Sequence, residues 1–165
     1  MPMFLSTYTN KVDKKGRVSV PAPFRSAVSA HDFNGIVLFP SLKHAAIEGA
    51  GMDYIARLTG IIDQLPPFSD EADAFSAILA SCHQLAFDPE GRIMLPEDLM
   101  EVAGITEQVC FVGRGQTFQI WEPAAWKVAE AEARSLARAQ RDRLRWPTAN
   151  PGANPAATGN GGGTP

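Results

Sequence analysis

Two short segments of this chain carry the same side chains at the same spacing. Asp13-Lys14-Lys15-Gly16-Arg17-Val18-Ser19-Val20-Pro21 returns 75 positions later as Asp88-Pro89-Glu90-Gly91-Arg92-Ile93-Met94-Leu95-Pro96. Asp, Gly, Arg and Pro recur in register, and the aliphatic positions between Arg and Pro are kept in kind. Each copy projects an arginine from a tight turn. A guanidinium offers two parallel N–H donors, which match guanine O6 and N7 in the major groove. Lys14 and Lys15 add diffuse positive charge at a hairpin tip, where side chains and backbone N–H groups point outward and suit phosphate contact. Asp13 and Asp88 fit the roles of turn-former and arginine-orienting partner, because an aspartate bonds its own backbone two residues on. Gly16 and Gly91 accept the positive φ such turns require. One copy alone is adequately explained as a solvated turn whose arginine pairs with its aspartate.

Other residues capable of chemistry do not form working sets. His31, His44 and His83 are scattered and match no ligand or triad pattern. Cys82 and His83 are adjacent, and neighbours on a strand point to opposite faces, so they make no nucleophile–base pair. Asp70, Glu71 and Asp73 suit the first turn of a helix, where acids complement the dipole. Gly113-Arg114-Gly115 lacks the third glycine and following helix of a dinucleotide site, and Arg114 reads as an exposed turn residue. The expectation is a protein that is not an enzyme, with no metal site and no cofactor.

Composition sets the frame. The chain has 165 residues, 45% of them hydrophobic, and a formal net charge of -3. That charge gives no global reason to expect a nucleic-acid partner, so such a case rests on where the cations sit. The two cysteines, Cys82 and Cys110, lack metal spacing and are too few for a disulfide framework. Cys110 reads as a small buried hydrophobe. The first residues carry no basic segment followed by an apolar run, and no stretch approaches the roughly 18 apolar residues of a membrane span. A cytoplasmic protein with no membrane partner is expected.

The elements that position the two turns follow from pattern. Residues 4–12 favour a strand, 17–20 its return, 24–29 a short helix opened by Pro23, and 36–39 an apolar strand. The second copy repeats the order: strands at 83–87 and 92–95, a helix at 97–103 stopped by Gly104, then strands at 109–112 and 118–121. A closing strand is clear only in the second copy, and 45–48 is its counterpart in the first. Between the copies, 52–65 and 71–81 have helical apolar spacing, split by Pro66-Pro67 and with Ser69 as a cap. After Pro123 a final helix is expected to run to about Arg145, rich in arginine, with Trp126, Val128 or Leu136 packing inward. Residues 147–165 hold Pro, Gly, Ala, Asn and Thr without charge, a composition that points to disorder. A four-stranded unit this small has exposed edges and little core. Two units with interleaved strands about a pseudo-two-fold axis would share one core, and remaining edges favour oligomers.

The paired Asp-x-x-Gly-Arg turns, together with Val109-Cys110-Phe111-Val112-Gly113-Arg114-Gly115-Gln116-Thr117-Phe118-Gln119-Ile120-Trp121, resemble the MraZ family over about residues 4–145. These are bacterial transcriptional regulators built of two SpoVT-AbrB domains and encoded at the head of the division and cell-wall gene cluster. The resemblance implies an α+β, double-split β-α-β fold with two pseudo-symmetric repeats and a C-terminal helix. It places repeat 1 at 4–51, a helical insert at 52–81, repeat 2 at 82–125, a C-terminal helix at 126–146 and the tail at 147–165. It implies a ring-shaped homo-oligomer in the cytoplasm, associated with the nucleoid. That ring would bind double-stranded DNA at promoter direct repeats and act as a repressor. Its signature residues map onto Asp13 and Arg17, and onto Asp88 and Arg92. With the duplication, it shifts the reading of the turns from solvated tips to DNA contacts: Arg17, Lys15, Lys14, Arg92 and, on the first short helix, Arg25. The second turn carries Pro89 and Glu90 where the first has lysines, which favours the first as the stronger contact. The alternative is a protein-interaction scaffold or antitoxin-like module of the same fold, using the insert or the C-terminal helix.

Overall fold

The computed structural model describes residues 3–30 and 32–148. His31 and most of the segment expected to be a disordered tail lie outside the described residues. The chain divides into two units, Met1–Ala129 and Glu130–Pro165.

In the first unit the strands and helices are β1 Thr7–Lys11, β2 Arg17–Ser19, α1 Ala22–Val28, β3 Gly35–Pro40 and β4 Ile47–Ala50. Then come α2 Met52–Asp63, α3 Asp70–Ala80, β5 His83–Ala86, β6 Arg92–Met94, α4 Glu97–Ala103, β7 Gln108–Gly113 and β8 Phe118–Trp121. A last helix, α5, covers Pro123–Ala139. The two copies are thus β1-β2-α1-β3-β4 and β5-β6-α4-β7-β8.

The sheet orders show how the copies interlock. A six-stranded antiparallel sheet runs β1-β7-β8-β4-β3-β5. The first strand of each copy pairs with the third strand of the other: Thr7 lies opposite Val112, and Gly35 opposite Ala86. The closing strands β4 and β8 meet in the middle, with Ile47 opposite Ile120. A separate two-stranded ribbon joins β2 to β6, with Val18 opposite Ile93 at its centre. Interleaving gives every short strand a partner that its own copy does not supply, which is the expected remedy for a small sheet with open edges.

The core follows the alternation. Val18, Val20, Ile93 and Leu95 turn inward from the ribbon, and Phe24 and Leu99 do so from the equivalent helices α1 and α4, each at most 2% exposed. Phe24 is its aromatic centre: its ring centroid is 5.2 Å from Phe4, 5.6 Å from Tyr8, 6.1 Å from Phe111 and 5.2 Å from Phe118. Such edge-on and tilted pairs add to plain area burial. On the sheet's other face a smaller cluster joins Ala46, Cys110, Val112 and Trp121 to Trp126 of α5. There Gln119, the one buried polar side chain of the described residues, bridges Glu48 and Trp121.

Several boundaries differ from the pattern-based expectation. β1 starts at Thr7 because Ser6 takes a positive φ of 71°, and Phe4 leaves the strand to bond Gly115 and enter the core. β4 begins at Ile47, so Ala45 and Ala46 precede it. α5 ends at Ala139, followed by a single 3-10 turn at Arg141–Arg143 rather than a helix to Arg145. Trp126 packs on Trp121 at 5.6 Å, but Val128 and Leu136 are exposed. Cys82 precedes β5, where its Sγ approaches the Ile78 carbonyl at 3.3 Å. No described helix is long and apolar enough to cross a membrane.

Candidate nucleic-acid interface

The two Asp-x-x-Gly-Arg turns adopt one geometry. Asp13 Oδ1 accepts the backbone N–H groups of Lys15 at 2.9 Å and Arg17 at 2.8 Å, while Oδ2 accepts Arg17 Nε–H at 2.8 Å. Asp88 does the same for Glu90 at 2.9 Å, Arg92 at 2.9 Å and Arg92 Nε–H at 2.8 Å. In both, the glycine N–H closes onto the aspartate carbonyl, at 3.0 Å from Gly16 and 2.9 Å from Gly91. Gly16 and Gly91 have φ of +82° and +76°, a region an L side chain enters only under strain. One carboxylate therefore fixes both the loop path and the orientation of its arginine.

This bonding moves the acids. Asp13 and Asp88 titrate below the ordinary aspartate value, chiefly because each carboxylate accepts the backbone N–H of its arginine. The guanidinium bond and the N–H two residues on add to this against an opposing desolvation cost. Arg92 is raised in turn, first by its bond to Asp88 and further by the charges of Asp88, Glu90 and Asp13.

The ribbon puts both turns on one structure. Arg17 lies opposite Met94, and Arg92 opposite Ser19. Val18 and Ile93 point into the core, so by strand alternation Arg17, Ser19, Arg92 and Met94 share the outer face. Each turn also closes on the other copy: Val20 N–H donates to the Gly91 carbonyl at 3.1 Å, and Leu95 N–H to the Gly16 carbonyl at 2.8 Å. Lys14 and Lys15 are exposed at the first tip.

Arg25 occupies a place that sequence patterns do not reveal. Its Nε–H donates to the Val20 carbonyl at 3.2 Å, and its guanidinium lies where a Cβ on Gly91 would stand, at 2.4–2.8 Å. Helix α1 of the first copy thus braces the turn of the second. The repeat spacing puts Met100 at the equivalent position of α4, and Met100 lines a cavity of about 660 Å³ beside Lys14, Lys15 and Gly16. The brace spans the two copies, so no local motif carries it.

The structure brings Asp13, Gly16, Arg17, Asp88, Gly91 and Arg92 together on one ribbon, with Lys14 and Lys15 at one tip and Arg25 behind the other turn. Of the residues weighed for other chemistry, His83 Nε2 sits 3.0 Å from exposed Asp98, and Arg114 is exposed. Among the described residues no group of three His, Cys, Asp or Glu could hold a metal.

Two interleaved β-β-α-β-β copies around an arginine-bearing ribbon make this an α+β protein of the double-split β-α-β class. Comparison with known proteins narrows the class. A family model described as "MraZ protein, putative antitoxin-like" matches residues 78–145. The chain is 49% identical over 145 residues to the transcriptional regulator MraZ of Pelagibacter ubique, covering 87% of this chain and 94% of that one. It is 46% identical over 146 residues to the protein of that name from Rickettsia canadensis, and 47% identical over 147 residues to the one from Rickettsia bellii, covering 88% of this chain and 98% of each relative. The chain belongs to the MraZ family.

Proposed function

We propose that this protein is a sequence-specific DNA-binding transcriptional regulator whose contact surface is the outer face of the β2–β6 ribbon. The observation that carries this reading is the pair of arginines on that face, each held through Nε by its own aspartate. A guanidinium tied only at Nε, as Arg17 is, keeps its two Nη groups for an end-on, two-point contact. Among the described residues, neither Nη of Arg17 has a protein partner. Guanine O6 and N7 supply the matching acceptors in the major groove, which admits a two-stranded ribbon. Lys14 and Lys15 at the adjacent tip suit the flanking phosphates, and Arg25 serves by bracing the second turn and by its own charge. The relatives' name, transcriptional regulator, agrees with this use.

The finer reading is a cytoplasmic, nucleoid-associated repressor of the division and cell-wall gene cluster that acts through a ring homo-oligomer on direct repeats near its own promoter. Repeats at 4–51 and 82–125, an insert at 52–81 and a C-terminal helix at 126–146 are the working division. A chain of net charge -3 binds DNA by concentrating its cations on one face, and a ring multiplies that face. Linked weak contacts raise apparent affinity by roughly 10²–10⁴. The outer strands of the six-stranded sheet, β1 and β5, each keep one edge for such assembly.

A second reading has one observation in its favour. Neither α2 nor α3 buries a single residue, although both carry apolar side chains at helical spacing. That suits a protein-interaction scaffold or an antitoxin-like module. Fluorescence anisotropy on DNA from upstream of the protein's own gene, against scrambled DNA over a salt series, separates the two. Tight, salt-sensitive binding with preference for the native sequence is the expected result. Equal weak binding to both DNAs would transfer the search to protein partners of the insert.

A further inference from the structure

The two turns share a backbone but not a charge pattern. The repeat puts Glu90 where the first turn has Lys15, and Pro89 where it has Lys14. Glu90 Oε2 lies 3.4 Å from Arg92 Nη2, while Asp88 Oδ2 holds Nε of the same guanidinium at 2.8 Å. Arg92 therefore meets carboxylates on two of its edges. Among the described residues Arg17 meets one, Asp13. Arg92 is also the less exposed of the pair, 26% against 33%. The Glu90 side chain is 72% exposed, so its hold on Arg92 is a weak, solvent-screened ion pair that a better acceptor displaces. Pro89 fixes φ at the tip beside it and limits how far the loop can swing away.

We infer that Glu90 is an intramolecular competitor for the Arg92 fork, so that the second turn discriminates between DNA sequences while the first turn supplies most of the affinity. On DNA offering Arg92 only phosphates, two effects oppose binding: the fork is already partnered, and the Glu90 carboxylate is repelled by the same phosphates. A guanine presents neutral acceptors, so the fork gains two hydrogen bonds there without drawing Glu90 onto further negative charge. Glu90 thus suppresses non-specific binding more than specific binding. The tether is a property of the protein alone, whereas its effect on DNA rests on the proposed function.

The test has two arms. In the first, without DNA, NMR measures rotation about the Nε–Cζ bonds of Arg17 and Arg92 in the parent chain and in Glu90→Gln. Faster rotation of Arg92 with Arg17 unchanged is expected, and unchanged Arg92 rotation overturns the tether. In the second, anisotropy compares the parent, Glu90→Gln, Arg92→Ala and the double variant on native upstream DNA and scrambled DNA. Glu90→Gln should tighten scrambled DNA by about two- to five-fold, native DNA by less, and the difference should vanish in the double variant. An equal tightening on both DNAs, or one that survives Arg92→Ala, overturns the discriminating role. If the parent chain itself shows no preference for native DNA, the DNA-binding reading falls, and the rotation arm still decides the tether.

Discussion

Asp13 and Asp88 each spend one oxygen on the loop and one on the arginine, so loop shape and arginine aim depend on a single charge state. Both acids have folded-state pKa values depressed below the ordinary one. The stabilisation they give is therefore complete above the unfolded value, about 3.9, and is lost as pH falls through the depressed folded values. Carboxyl carbon NMR should show Asp13 and Asp88 titrating below the ordinary aspartate value, with Arg17 and Arg92 Nε–H signals shifting at the same pH. Asp13→Asn tests the division of labour: the amide oxygen can replace Oδ1, but no second acceptor remains for Nε. It should leave the fold intact and weaken operator binding. Arg17→Ala should cost about 1–3 kcal/mol per engaged base contact and blur sequence preference. Lys15→Ala should weaken native and scrambled DNA evenly and lower the salt slope by about one. Anisotropy over a salt series distinguishes these patterns.

The elements show why the turns tolerate few substitutions, and unequally. Alanine at Gly16 or Gly91 meets the same positive-φ strain, but at Gly91 it also pushes the Arg25 guanidinium off its bond to the Val20 carbonyl. Gly91→Ala should therefore destabilise more than Gly16→Ala in urea unfolding, and adding Arg25→Ala should recover part of the difference. The local elements were largely legible in the sequence, because turns, helix starts and helix stops are written in short-range chemistry. Asp-x-x-Gly-Arg announced both hairpin tips, Pro23 the first turn of α1, though that helix runs Ala22–Val28 rather than 24–29, and Gly104, at φ +64°, the end of α4. What escaped was long-range. Nothing in residues 4–12 says that Phe4 must reach the core, so the break at Ser6 was invisible. The arginine-rich stretch to Arg145 has helix-forming composition, yet α5 stops at Ala139 and a 3-10 turn follows at Arg141–Arg143. Arg25 looked like a free cation on a short helix because Gly91, the residue its guanidinium packs over, belongs to the other copy.

At the scale of the molecule, repetition pointed to two copies, and the small size of each argued that they interleave. The register that realises it, β1 on β7 and β5 on β3, needed the structure. Neither copy can complete its sheet alone. A fragment ending after α3 should be unfolded by circular dichroism, whereas mixing it with the complementary fragment should restore structure. Phe24→Ala removes the centre of the aromatic cluster shared by both copies and should cost about 3–5 kcal/mol. Urea unfolding followed at Trp121 and by far-ultraviolet circular dichroism should remain one coincident transition, since both copies contribute to the same core.

The same interlocking bears on the birth of the chain. Thr7 finds its sheet partner in Val112, about 100 residues later. A ribosome adding roughly 5–20 residues per second needs on the order of 10 s to synthesise that span. Until then the nascent first half holds β1 without β7 and the inner edge of β4 without β8, and its apolar side chains are open to any neighbour. Synthesis pauses within the α2–α3 segment should prolong that window, and the yield of folded protein should fall with the length of the pause.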